Sequence, residues 1–91
     1  MTVLDQADND LSDRVDGLVH KLLAKRGITQ PIGREDNLSE AGLSSLDIVN
    51  LMLAVEAEFD LKIPDRDMVP ANFRSMVRID AMVDRLRAQA P

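Results

Sequence analysis

The glycines and prolines of this 91-residue chain cluster in two stretches that divide it into helical pieces. In the first piece Leu11, Val15, Leu18, Val19, Leu22 and Leu23 recur at spacings of four, three, one, three and one, which puts them on one helical face. Asp10 is placed to cap the start of that helix. Lys21, Lys25 and Arg26 lie near its end, where the dipole favours cations, and Gly27 suits the left-handed residue just beyond.

From Gly27 to Leu43 the period stops. Pro31, Gly33, Gly42 and polar residues, punctuated by Ile28, Ile32 and Leu38, predict a long loop pinned to the core by those three side chains; a loop of this length usually has a function. A second helix is predicted from about Ser45 to Asp60. On a helical wheel Ile48, Val49, Leu51, Met52, Val55 and Phe59 fill its core arc, while Leu46 and Leu53 fall at the margin beside Val49 and make a second apolar stripe that the core need not cover. After Ile63-Pro64 a short helical turn over Asp65 to Val69 should end at Pro70. Phe73 anchors the approach to a last helix that takes Ser75 as its cap and turns Met76, Ile79, Met82, Val83 and Leu86 inward. The expected fold is all-α: an antiparallel bundle of three principal helices plus one short helix, with a long loop between helices one and two. Residues 1–9 are expected to be a flexible N-terminus, 10–87 the domain and 88–91 a tail.

A chain this short buries roughly 60 to 65% of its unfolded surface, enough for one modest core and too little for an enclosed substrate cavity, so no enzyme and no catalytic residue is expected. With 16 acidic against 11 basic residues, two Phe and no Trp or Tyr, the surface repels phosphates and offers nothing for bases to stack on. Nucleic acid is not an expected partner. The longest apolar run, Leu51 to Val55, is far short of a membrane span, and a soluble cytoplasmic protein is expected. There is no Cys, so any thiol chemistry must be imported.

The segment Ala41-Gly42-Leu43-Ser44-Ser45-Leu46-Asp47-Ile48-Val49 resembles the modification site of the acyl carrier proteins, whose common form is Gly-x-Asp-Ser-Leu opening the second helix. The resemblance continues through Glu56-Ala57-Glu58-Phe59-Asp60-Leu61-Lys62-Ile63-Pro64 and Phe73-Arg74-Ser75-Met76, so it covers about Leu11 to Leu86. It implies that a phosphopantetheinyl transferase moves 4'-phosphopantetheine from coenzyme A onto Ser45, where cargo then rides as a thioester. The first turn of a helix suits that phosphate, since it offers unpaired N–H groups and the positive end of the dipole. The missing Cys also suits it, because no internal thiol competes for the acyl group. Ser44, where the family commonly has Asp, is expected to cap the helix, with Ser44-x-x-Asp47 resembling a capping box.

Asn50 and Ala57 stand where the family often has carboxylates. A docking surface of Leu46, Asp47, Val49, Asn50, Leu53 and Glu56 is therefore expected to lean on its apolar members and to depend less on salt. The pieces Phe59 to Pro64 and Phe73 to Met76 resemble stand-alone carriers paired with amino acid:carrier protein ligases, themselves similar to aminoacyl-tRNA synthetases. The resemblance thus implies a monomeric carrier of an amino acid or short acyl group, loaded by a ligase and unloaded by a downstream acyl-accepting enzyme. Fatty or polyketide acyl cargo is the alternative, and an unmodified helical interaction module is the alternative from another class. His20, the only His, is expected to be an ordinary surface residue. Asp8, Asp10, Ser12 and Asp13 lack the Gly and Glu of a calcium loop, and Asp65 with Asp67 are expected to be simply solvated, so no metal is expected.

Overall fold

A computed structural model describes residues 3–89. Four α-helices follow one another: α1 (Val3–Lys25), α2 (Leu38–Ala41), α3 (Ser45–Phe59) and α4 (Met76–Gln89), with short 3-10 turns at Asp65–Asp67 and Pro70–Phe73 between the last two. Among the described residues there is no strand. The periodic apolar faces meet in one cluster. Val15, Val19 and Leu23 of α1, Ile48, Leu51, Met52 and Val55 of α3, and Met76, Ile79, Met82, Val83 and Leu86 of α4 are all buried there. Phe73 is fully buried at the approach to α4, and Ser75 Oγ accepts the Arg78 N–H at 3.2 Å as that helix begins.

The first connection is held at both ends by the same kind of stop. At the end of α1 the N–H of Ile28 reaches Leu23 O at 2.9 Å and that of Gly27 reaches Ala24 O at 3.0 Å, with Gly27 at φ +74°. This is the paired closure that satisfies the last carbonyls of a helix when a glycine takes the left-handed region. Leu38 is buried, with Ile28 and Ile32 packed on the core around it, so the three expected pins hold. The connection is not all loop, however. Residues 38–41 form α2, capped by Asn37, whose Oδ1 accepts the Glu40 N–H at 3.1 Å, and the Leu38 N–H is anchored on Arg74 O at 2.8 Å.

Several expected boundaries are corrected. Helix α1 begins at Val3, so Asp10 lies inside the helix and caps nothing. No Gly or Pro interrupts residues 3–9, and acidic residues suit the N-terminal end of a helix. Of the N-terminal segment 1–9, residues 1–2 lie outside the described residues. Of the tail 88–91, residues 88–89 continue α4 and residues 90–91 lie outside the described residues. Pro70 does not end a helical turn but starts the second 3-10 turn, where its fixed φ and missing N–H cost nothing. Val49, placed on the core arc by the wheel, is 47% exposed.

Candidate functional site

Ser44 and Ser45 sit side by side at the start of α3 and have different surroundings. Ser44 is the N-cap: its Oγ accepts the Asp47 N–H at 3.1 Å, and its own N–H donates to Asp47 Oδ2 at 2.9 Å. That reciprocal box satisfies two backbone donors at once. Ser45, the first helical residue, is exposed. The chain enters this turn through Gly42, at φ +126°, where an added Cβ would stand 3.0 Å from the Ile28 side chain. The backbone conformation therefore favours glycine there, and a Cβ would also require the tip of Ile28 to shift.

Asp47, expected at the docking surface, is instead 2% exposed. Its second partner is Arg26, just past the end of α1, whose Nε donates to Asp47 Oδ1 at 2.6 Å. The Ser44 N–H and then Arg26 hold the Asp47 carboxyl below the ordinary aspartate value, against burial, which pushes it up. Glu56 is also diverted inward, its Oε2 accepting the Ile63 N–H at 2.8 Å. The remaining expected docking residues lie outward: Leu46 is 65% exposed, Leu53 55%, and Asn50 is exposed beside them.

A second polar cluster was not foreseen in the sequence. Arg34, in the first connection, pairs with Asp16 of α1 at 3.0 Å and with Asp80 of α4, while Ser12 Oγ also donates to Asp80 at 3.0 Å. It fastens the connection to two helices. Asp67, expected to be solvated, is buried and accepts from Arg85 Nη2 at 2.9 Å. Arg85 lowers its carboxyl from the ordinary value, against burial. His20 is exposed, and residues 8–13 are helical rather than a calcium loop. Among the described residues no group of three or more His, Cys, Asp or Glu is placed to hold a metal ion, and no helix is long and apolar enough to cross a membrane.

The arrangement at Ser45 suits a phosphate ester. An exposed hydroxyl stands on the first turn of a long helix, whose N-terminal amides and dipole favour an anion, and the neighbouring hydroxyl is already committed to the cap. Known proteins agree with that chemistry. The family described as phosphopantetheine attachment site matches residues 13–78. Aminoacyl carrier protein 1 of Bradyrhizobium diazoefficiens is 38% identical over 76 residues, 84% of this chain and 84% of that protein. Aminoacyl carrier protein 2 of the same organism is 39% identical over 74 residues, 81% of this chain and 83% of the relative. Among solved structures, the crystal structure of Bradyrhizobium japonicum glycine:[carrier protein] ligase complexed with glycylated carrier protein contains a chain that matches with a TM-score of 0.71 and 33% identity, over 79% of this chain and 96% of that one.

Proposed function

This chain belongs to the phosphopantetheine attachment site family, and from that premise we propose that it is an aminoacyl carrier whose Ser45 bears covalently attached 4'-phosphopantetheine. The observation that carries the assignment to Ser45 is the division of labour between the two serines. Ser44 spends its hydroxyl on the Asp47 N–H, while Ser45 presents an exposed hydroxyl from the first turn of α3. A transferase that supplies the group from coenzyme A forms a phosphate ester at Ser45 Oγ, displaces the coenzyme's adenosine bisphosphate and releases the hydroxyl proton. The attached group supplies a terminal thiol on which an amino acid is held as a thioester.

The protein's own part is presentation rather than catalysis. Helix α3 holds the attachment point rigidly, Arg26 and Ser44 fix the start of that helix through Asp47, and Leu46, Val49, Asn50 and Leu53 face outward for partners. The amino acid cargo rests on the similarity to the two Bradyrhizobium aminoacyl carriers and to the ligase complex. The partners we infer are a phosphopantetheinyl transferase, an amino acid:carrier protein ligase and a downstream acyl-accepting enzyme, with the carrier acting as a monomer.

Intact mass after incubation with coenzyme A, magnesium and a permissive phosphopantetheinyl transferase tests the site. One added phosphopantetheine in the parent and in Ser44→Ala, and none in Ser45→Ala, is the expected result. A gain that survives Ser45→Ala, or no gain in folded parent protein, overturns it. ATP-dependent loading of the resulting protein by amino acid:carrier protein ligases, followed by mass across the amino acids, then identifies the cargo.

A further inference from the structure

The three carboxylates within α3 are all engaged inside the molecule. Asp47 is buried against Ser44 and Arg26, Glu56 accepts from Ile63, and Glu58 takes Arg14 at 2.8 Å. The exposed large apolar side chains of α3 are Leu46, Val49 and Leu53, with uncharged Asn50 beside them. Beside them a cleft of about 200 Å³ runs between α1 and α3, walled by Leu18, Leu22, Leu51 and Ala54, with Lys21 and Lys25 on its α1 side. Those lysines stand in the longest part of the chain without an acidic residue, between Asp16 and Glu35. Among the described residues no carboxylate lies within salt-bridge distance of either. A protein of net charge −5 therefore carries a local face that is apolar at its centre and basic at its edge.

We propose that this α1/α3 face docks an acidic, amphipathic segment of the loading ligase, one apolar side chain entering the cleft while carboxylates beside it meet Lys21 and Lys25. The inference rests on the carrier reading above, and it names the chemistry of the partner surface. The cleft's volume supports a side chain as occupant, since it falls below the roughly 300 Å³ at which small-molecule pockets begin. Charge supports a protein over an anionic bilayer: a membrane surface would meet the whole net negative molecule, whereas a docking segment meets only this patch. The attraction resides in α1 and not in α3. Its sign is opposite to that of a carrier that offers carboxylates to a basic partner.

The test is steady-state loading of the phosphopantetheinylated protein, from low to high ionic strength, by the ligase found to load it. The variants are Lys21→Glu/Lys25→Glu, Leu53→Asp, and Arg78→Glu on α4 as a control for charge alone. Intact mass first establishes that each variant carries phosphopantetheine, and its melting curve that it is folded. In the parent, kcat/KM should fall as salt rises. The double lysine reversal should raise KM about tenfold or more with kcat unchanged, because charge complementarity acts on encounter, and should abolish or invert the salt dependence. Leu53→Asp should raise KM without changing the sign of that dependence, and Arg78→Glu should leave both as they are. Equal KM and equal salt slopes in the parent and the lysine reversal, or a parent kcat/KM that rises with salt, overturn the inference while leaving the attachment at Ser45 intact. Sedimentation with phosphatidylglycerol vesicles that depends on Lys21 and Lys25 overturns it in favour of a membrane surface. If no amino acid:carrier protein ligase loads the modified parent, the amino acid cargo fails and this inference falls with it, while the attachment at Ser45 stands on its own mass test.

Discussion

Asp47 illustrates how one residue ties the proposed attachment site to the rest of the molecule. Its two oxygens take the Ser44 N–H and Arg26, so the first turn of α3 is fixed both to its own cap and to the end of α1. Removing only the cap hydroxyl, with Ser44→Ala, should cost about 1 kcal/mol, the usual worth of a serine N-cap. The variant should still accept phosphopantetheine, and chemical denaturation with intact mass reads both quantities. Asp47 and Asp67 also predict acid sensitivity. Both carboxyls are lowered in the folded protein, Asp47 by Ser44 and Arg26 and Asp67 by Arg85. Folding thus favours their ionised forms, and the stability they contribute is fully present above the unfolded aspartate value of about 3.9. It is lost as pH falls through their folded values. The melting temperature should therefore decline below about pH 4, and the combined variant Asp47→Asn/Asp67→Asn should show a shallower decline. An unchanged slope in that variant would show that these two groups do not carry it.

At the scale of elements, three successive helices stop in the same way and differ in the residue that does it. Gly27 ends α1, Gly42 ends α2, and Asp60, at φ +50° and ψ +52°, ends α3 with the Leu61 N–H on Glu56 O at 3.2 Å. A Cβ at Gly27 meets open space, so Gly27→Ala suffers only the left-handed backbone, about 1 to 2 kcal/mol. Gly42→Ala adds a contact at 3.0 Å to a more extreme φ and should lower the melting temperature more. Asp60→Gly should raise stability, by no more than about 1 kcal/mol, by relieving a residue with a Cβ from that region. Melting temperatures should rank Asp60→Gly above Gly27→Ala and Gly27→Ala above Gly42→Ala, and a Gly42→Ala as mild as Gly27→Ala would contradict the geometry. The long helices and Gly27 were legible because a period of 3.6 and a terminal glycine are local signals. Four residues are too few to show a period, so α2 was not, although Asn37 before it and Gly42 after it form a cap pair that could have marked it. The helix start at Ser45 was legible from its flanking motif, and the exposure of that serine is what the fold adds to its proposed role. The fates of Asp47 and Glu56 were not legible, since they depend on Arg26 and on the Ile63 N–H, partners brought close only by folding.

The described residues extend 36 × 35 × 19 Å, and their buried apolar side chains form one core cluster. The helices α1, α3 and α4 pack around that one cluster, which leaves α3 buried on one face and bare on the other. Besides its apolar pins, the first connection is tied to α1 and α4 by Arg34, which pairs with Asp16 and Asp80. Arg34→Gln should cost on the order of 1 kcal/mol, less than a fully buried pair because Arg34 is still 38% exposed. A chain with one modest core also has little reserve. At about 0.05 to 0.15 kcal/mol per residue, total stability for 91 residues is about 5 to 14 kcal/mol. Phe73→Ala, at a fully buried site, removes about 3 to 5 kcal/mol of it. Leu53→Asp, on the exposed stripe of α3, should change stability by no more than about 0.5 kcal/mol, although both replace a large apolar side chain. Denaturation of the two variants beside the parent separates the apolar residues that hold the fold from those the fold displays. A Leu53→Asp loss as large as that of Phe73→Ala would place Leu53 in the core and remove the apolar centre of the docking face.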